Sequence, residues 1–289
     1  MGTKQTLRDL ITLAKPEVTA LVLGATAVGY ALGSGASVDR AGLSFVLLGT
    51  GLVSAGTAAL NMYVEREADG RMVRTQSRPL PSGRMSPTAA LVYGVVLSLA
   101  GGGLLWIRAN PLASVLALAT LASYLLLYTP LKSRTHLCTV VGAFPGAAPP
   151  LIGWAAARGS LGVEAWALYA ILFLWQFPHF LAIAWMYRKD YARAGMRMLP
   201  PADGAGEATF RRILLFSALL VPASVLPSFL GIAGDLYLWG SLVLGMSFLL
   251  SCLWASHRRT GWHARVLLHA SVIHLPLLYA LLAADRRVL

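Results

Sequence analysis

The chain has 289 residues, of which 57% are hydrophobic and only 12% charged, against about 25% charged in a soluble domain. Such a composition excludes a water-soluble enzyme or free-standing binding module and points to a polytopic protein of the lipid bilayer. The net charge of +12 sits in short loops between apolar runs, which is the positive-inside pattern of membrane proteins and not a stripe for nucleic acid.

Residues 4–14 predict a short interfacial helix leading to Lys15-Pro16. Crossing a bilayer takes about 20 apolar residues. About nine runs meet that requirement, at roughly 17–34, 42–62, 87–107, 111–129, 137–157, 164–185, 210–231, 236–255 and 265–283. No hydrophilic stretch is long enough to fold separately, so residues 1–289 are expected to form one all-α bundle. Pro145, Pro149 and Pro150 predict a kink or break in the fifth span. The Gly142–Gly146 spacing suits close helix contact in lipid. Cys138 and Cys252 lie in apolar segments with no metal-binding spacing and read as packing residues.

Placing the N-terminus inside and the C-terminus outside puts every Lys and Arg on the cytoplasmic face except Arg40, Arg108, Arg158, Arg286 and Arg287. The two longest loops, about 63–86 and 186–209, then share that face, four helices apart. The first begins NMYVEREADGR, with Asn61, Glu65 and Asp69 at i, i+4 and i+8. On a helix those three line one side. Carboxylates so placed can hold a hard divalent cation, and Arg71, Arg74, Arg78 and Arg84 follow closely enough to grip phosphate. The plain alternative is a solvated loop whose arginines only mark the cytoplasmic side. The second loop contributes Asp190, flanked by Tyr187, Arg188, Lys189 and Tyr191, and a third segment, YTPLKSRTH, supplies Lys132 and Arg134 at a helix end. A transporter has little reason to combine these acids and bases on one face. A magnesium-bridged diphosphate site does.

At these residues the chain resembles the UbiA-type intramembrane prenyltransferases. The likeness rests on NMYVEREADGRMVRTQSRPLPSGRMSP, YTPLKSRTH, GAFPGAAPPLIGW, WQFPHFLAIAWMYRKDYARAGMRMLP and AKPEVTALVLGATAVGY, and it weakens after about residue 212. It implies about nine transmembrane helices around a central cavity capped by the charged loops. It also implies an isoprenyl diphosphate held through one or two Mg2+ ions by Asn61, Glu65, Asp69 and Asp190. Lys132, Arg74 and Arg78 match basic positions expected on the diphosphate, with Arg71 and Arg134 as neighbours. Two departures stand out. The middle acid is Glu65 where the family usually has Asp, and His179 stands where most relatives carry a further Asp.

The second departure is similar to the branch that modifies heme. It implies farnesyl diphosphate and heme B as substrates and a farnesylated, hydroxylated heme O as product. It further implies a place in the cell's inner membrane, and onward delivery to a heme A-forming enzyme or a terminal oxidase. Candidate heme contacts are then His179, His136, Tyr187 and Trp175. His269 and His274 are further intramembrane ionisable residues. Two other readings stay open at this stage: prenylation of a quinone precursor or other aromatic acceptor, and transport of an anionic lipid or metabolite.

Overall fold

The computed structural model describes residues 3–201 and 203–287. An amphipathic helix α1 (Thr3–Leu13) precedes the first span, as its sequence predicts. Among the described residues nine helical segments are long and apolar enough to cross a membrane. They are α2 (Pro16–Gly33), α3 (Arg40–Val64), α5 (Pro87–Arg108), the composite Pro111–Leu131, the composite Cys138–Arg158, α10 (Val163–Met186), α12 (Glu207–Phe229), α13 (Asp235–Arg258) and α14 (Gly261–Ala284). Two short helices lie outside the spans, α4 (Arg66–Arg71) after α3 and α11 (Arg188–Arg193) after α10. Their ends differ from the apolar runs by up to about four residues, because charged helix ends continue the backbone bonding after hydropathy has fallen.

Local chemistry explains the starts. Asp39, Ser86, Asn110 and Thr260 each accept a backbone N–H of the first turn of the helix that follows. Pro16, Pro87 and Pro111 occupy first-turn positions, where a missing N–H costs nothing. Large apolar side chains such as Leu99, Ile107, Phe229 and Trp239 remain exposed around the outside, as expected where lipid is the solvent.

Two spans are irregular. The fourth consists of α6 (Pro111–Ser123), a π-helical turn over Tyr124–Tyr128, and α7 (Thr129–Leu131). The fifth is broken, as its prolines predict, into α8 (Cys138–Gly146) and α9 (Pro149–Arg158). The α9 half packs against α2 at backbone distance. A β-carbon at Gly153 would overlap the carbonyl of Thr26, and one at Gly29 would overlap that of Pro150. Close approach of this kind supplies the van der Waals contact on which helix association in lipid depends. The helices α10, α12, α13 and α14 form the other half of the bundle, and α14 returns to α2. Cys138 and Cys252 are free and buried.

Candidate active site

The first loop extends the second span, α3. The backbone N–H of Glu65 bonds to Asn61 O at 2.9 Å and that of Asp69 to Glu65 O at 2.8 Å. The i→i+4 ladder thus runs on through the kink between α3 and α4. Asn61, Glu65 and Asp69 stay on one side and are all buried, with Asn61 and Asp69 each 1% exposed. Buried carboxylates need counter-charge, and each finds it. Arg78 Nη1 lies 2.7 Å from Asp69 Oδ2, and Lys132 Nζ lies 2.7 Å from Glu65 Oε1.

Lys132 reaches Glu65 because of the π-helical turn. Tyr124, Tyr128 and Lys132 follow at steps of four, and the ammonium sits 4.5 Å from the Tyr128 ring centroid and 5.9 Å from that of Tyr124. Burial works against its charge, but Tyr128, Glu65 and Tyr124 outweigh burial and hold it well above the usual lysine range. The hydroxyl of Thr129 donates to the Tyr124 carbonyl and accepts from Asn61 Nδ2 at 3.3 Å.

Lys15 closes the other side of Asn61, donating to Oδ1 at 3.1 Å. Its backbone is left-handed, with φ 43°, a conformation costing a non-glycine residue about 1–3 kcal/mol. Burial, together with the positive Arg78 and Lys132, pushes its ammonium down to about 8 despite Glu65 and Asp69. Sequence reasoning counted Lys15 only as a topology marker. The available signal was a lysine directly ahead of the proline that starts a span.

The second loop meets the first. Asp190, buried on α11, accepts the backbone N–H of Arg74 at 3.3 Å and pairs with Arg193. Burial opposes its charge, but the Arg193 bond and the backbone N–H groups of Arg74 and Val73 hold its carboxyl below the usual range. The Arg74 guanidinium covers the Tyr187 ring at 4.8 Å. Asp69 and Asp190 are therefore both tied to the stretch between residues 74 and 78. Arg71 and Arg134 are exposed beside this cluster, and His136 is half-buried on the turn after Lys132.

Beneath the cluster lies a cavity of about 300 Å³, mostly apolar, that starts at Lys15 and Tyr124 and runs inward to Trp175, Gln176, His179 and Phe180. The His179 ring stacks on Trp175 with centroids 4.6 Å apart. His274 is instead buried against Phe248, with ring centroids 4.9 Å apart.

Among the described residues no three His, Cys, Asp or Glu side chains stand close enough to hold a metal unaided. Magnesium does not require that. It keeps several waters and binds through one or two carboxylates plus phosphate oxygens. Buried carboxylates on two loops tied to each other suit that mode.

Comparison with known proteins places this geometry. Residues 22–273 match the UbiA prenyltransferase family. A protoheme IX farnesyltransferase of Solibacter usitatus is 50% identical, over 97% of this chain and 99% of its own length. One from Koribacter versatilis is 46% identical, over 99% and 96%. Among solved structures, a digeranylgeranylglyceryl phosphate synthase superposes with a TM-score of 0.79 at 18% identity, over 97% of this chain and 98% of its own. A UbiA homolog from Archaeoglobus fulgidus, bound to GPP and Mg2+, gives 0.62 at 15% identity, over 95% and 99%. With residues 22–273 matching the family and relatives up to 50% identical over nearly their full length, the chain belongs to the UbiA prenyltransferase family.

Proposed function

We propose that this protein transfers the farnesyl group of farnesyl diphosphate to a vinyl group of heme B, with addition of water, to give heme O. The observation that carries the reading is the joining of the two acidic loops, tied through Asn61 and Lys15 to an apolar cavity with His179 in its wall. Relatives alike over nearly their whole length are named protoheme IX farnesyltransferase, which supports the reading.

In the reaction the C1–O bond of the farnesyl diphosphate breaks and the terminal vinyl carbon bonds to C1. Water then adds to the inner vinyl carbon, and one proton leaves. The leaving diphosphate needs its growing charge neutralised. Lys15 in the cavity wall and Arg78 and Lys132 on the acids Asp69 and Glu65 are the cations to do this, and Arg74 is anchored over Tyr187. Arg71 and Arg134, on the exposed side, add long-range attraction. Mg2+, when bound, withdraws charge from the diphosphate oxygens, and Asn61, Glu65, Asp69 and Asp190 are the residues that would hold one or two such ions. The cavity keeps the 15-carbon tail and the reacting carbon away from water. His179 and Trp175 line the cavity and would contact the porphyrin there, and His136 and Tyr187 are the further residues that would meet it.

The reading includes an N-terminus on the cytoplasmic side of the inner membrane and a C-terminus opposite. It also includes hand-over of the product to a heme A-forming enzyme or an oxidase in assembly. The decisive assay incubates purified protein with heme B, farnesyl diphosphate and Mg2+ and weighs the heme by mass spectrometry. A mass gain of one farnesyl group and one hydroxyl group is expected, the diphosphate and one proton leaving separately. Unmodified heme in the presence of folded protein overturns the reading.

A further inference from the structure

Trp175 and His179 are four residues apart on α10, so they stand on the same face, and both reach Ser271 of α14. The Trp175 indole N–H donates to the Ser271 carbonyl at 2.9 Å, and His179 Nδ1 lies 2.8 Å from the Ser271 hydroxyl oxygen. A serine hydroxyl has one proton to give. Here that proton points to the Leu268 carbonyl, 2.7 Å away. The oxygen is left to accept, so the proton between the two side chains belongs to His179 Nδ1.

That assignment fixes the rest of the ring. With Nδ1 protonated and the imidazole neutral, Nε2 carries a bare lone pair, and among the described residues no hydrogen bond engages it. Stacking on Trp175 restrains the ring from turning. Its residue lines the cavity beneath the acidic loops. An imidazole whose Nδ1–H is held by an oxygen while Nε2 faces open space is set up as histidines that bind metals are. The metal available in the proposed reaction is the iron of the heme substrate.

We infer that Ser271 is a positioning residue that holds His179 in the Nδ1–H tautomer and presents Nε2 to the heme iron. The inference rests on heme being the acceptor. Ser271 lies outside the sequence motifs quoted above, and its role is visible only because α14 folds back against α10. A competing role, as simple glue between the two helices, is separable. The Trp175 bond uses the Ser271 backbone carbonyl, so Ser271→Ala removes the hydroxyl and leaves that tether in place.

The test is resonance Raman spectroscopy and titration of the full-length protein with heme B alone, in the ferrous state. The unaltered protein should show an iron–histidine stretching band that disappears in His179→Ala and returns as an iron–imidazole band on adding imidazole. Ser271→Ala should move the band to lower frequency, because the ring loses the partner that raised its basicity, and weaken heme binding about tenfold. Ser271→Thr, which keeps the hydroxyl, should restore both. An unshifted band and unchanged affinity in Ser271→Ala overturn the inference while leaving the heme reading intact. A band that survives in His179→Ala overturns it too, by removing His179 as the ligand. Failure of the unaltered protein to modify heme in the mass assay removes the acceptor itself, which is a different result from either.

Discussion

At the scale of single residues, the site is a set of buried charges held in pairs. Removing one member of such a pair strands the other, which typically costs about 3–5 kcal/mol, whereas neutralising both can be nearly free. Lys132→Met should therefore lower the thermal midpoint sharply, by the equivalent of about 3 kcal/mol. Adding Glu65→Gln should recover most of that stability without recovering turnover. A double variant no more stable than Lys132→Met would show that the pair at 2.7 Å is not what the lysine supports. Lys15→Gly tests a different balance. Glycine relieves the left-handed backbone at φ 43°, so the thermal midpoint should not fall, while kcat/KM for farnesyl diphosphate drops roughly 10²-fold with the loss of a charge at the leaving group. A fall in both would make Lys15 a structural residue. What the sequence made legible at this scale follows one rule. Asn61, Glu65 and Asp69 could be found because helical spacing carries over directly into a shared face. The contacts from Lys15 to Asn61, from Thr129 to Asn61 and from His179 to Ser271 join residues 46, 68 and 92 positions apart. No local periodicity records such meetings.

At the scale of elements, the spans were readable from hydropathy and the break in the fifth from its prolines, but the π-helical turn was not. No residue in YLLLY announces it. It arises where Thr129 N–H reaches back five residues to Tyr124 O. Its effect is to widen the helix by one residue just before Lys132, and extra residues of this kind recur at functional sites. The contact of α2 with α9 predicts a purely structural effect. Gly153→Leu must push α9 away from Thr26 and Tyr30 of α2 and should cost about 1–3 kcal/mol, read as a lower thermal midpoint in detergent.

At the scale of the whole molecule, the charge asymmetry of the loops and the location of the site make one joint prediction. Ser82 lies by the acidic cluster and Ser37 in the connection at the far end of α3, and both are exposed. Because Cys138 and Cys252 are buried, single cysteines introduced at these two positions can be labelled selectively. In intact cells Ser37→Cys should react with a membrane-impermeant maleimide and Ser82→Cys only after lysis. The reverse pattern would invert the proposed orientation. The ion pairs also have a consequence for how the two ligands bind. Arg78 and Lys132 are occupied by Asp69 and Glu65, and Asp190 by Arg193. An incoming diphosphate that takes the cations leaves acids without partners, and an incoming Mg2+ that takes the acids frees the cations. Each ligand thus prepares the place of the other, and by thermodynamic reciprocity each should raise the other's affinity by the same factor. Titrating an unreactive farnesyl diphosphate analogue with and without Mg2+, and Mg2+ with and without the analogue, should return one shared factor above unity. A factor of one would mean the swap of partners does not occur.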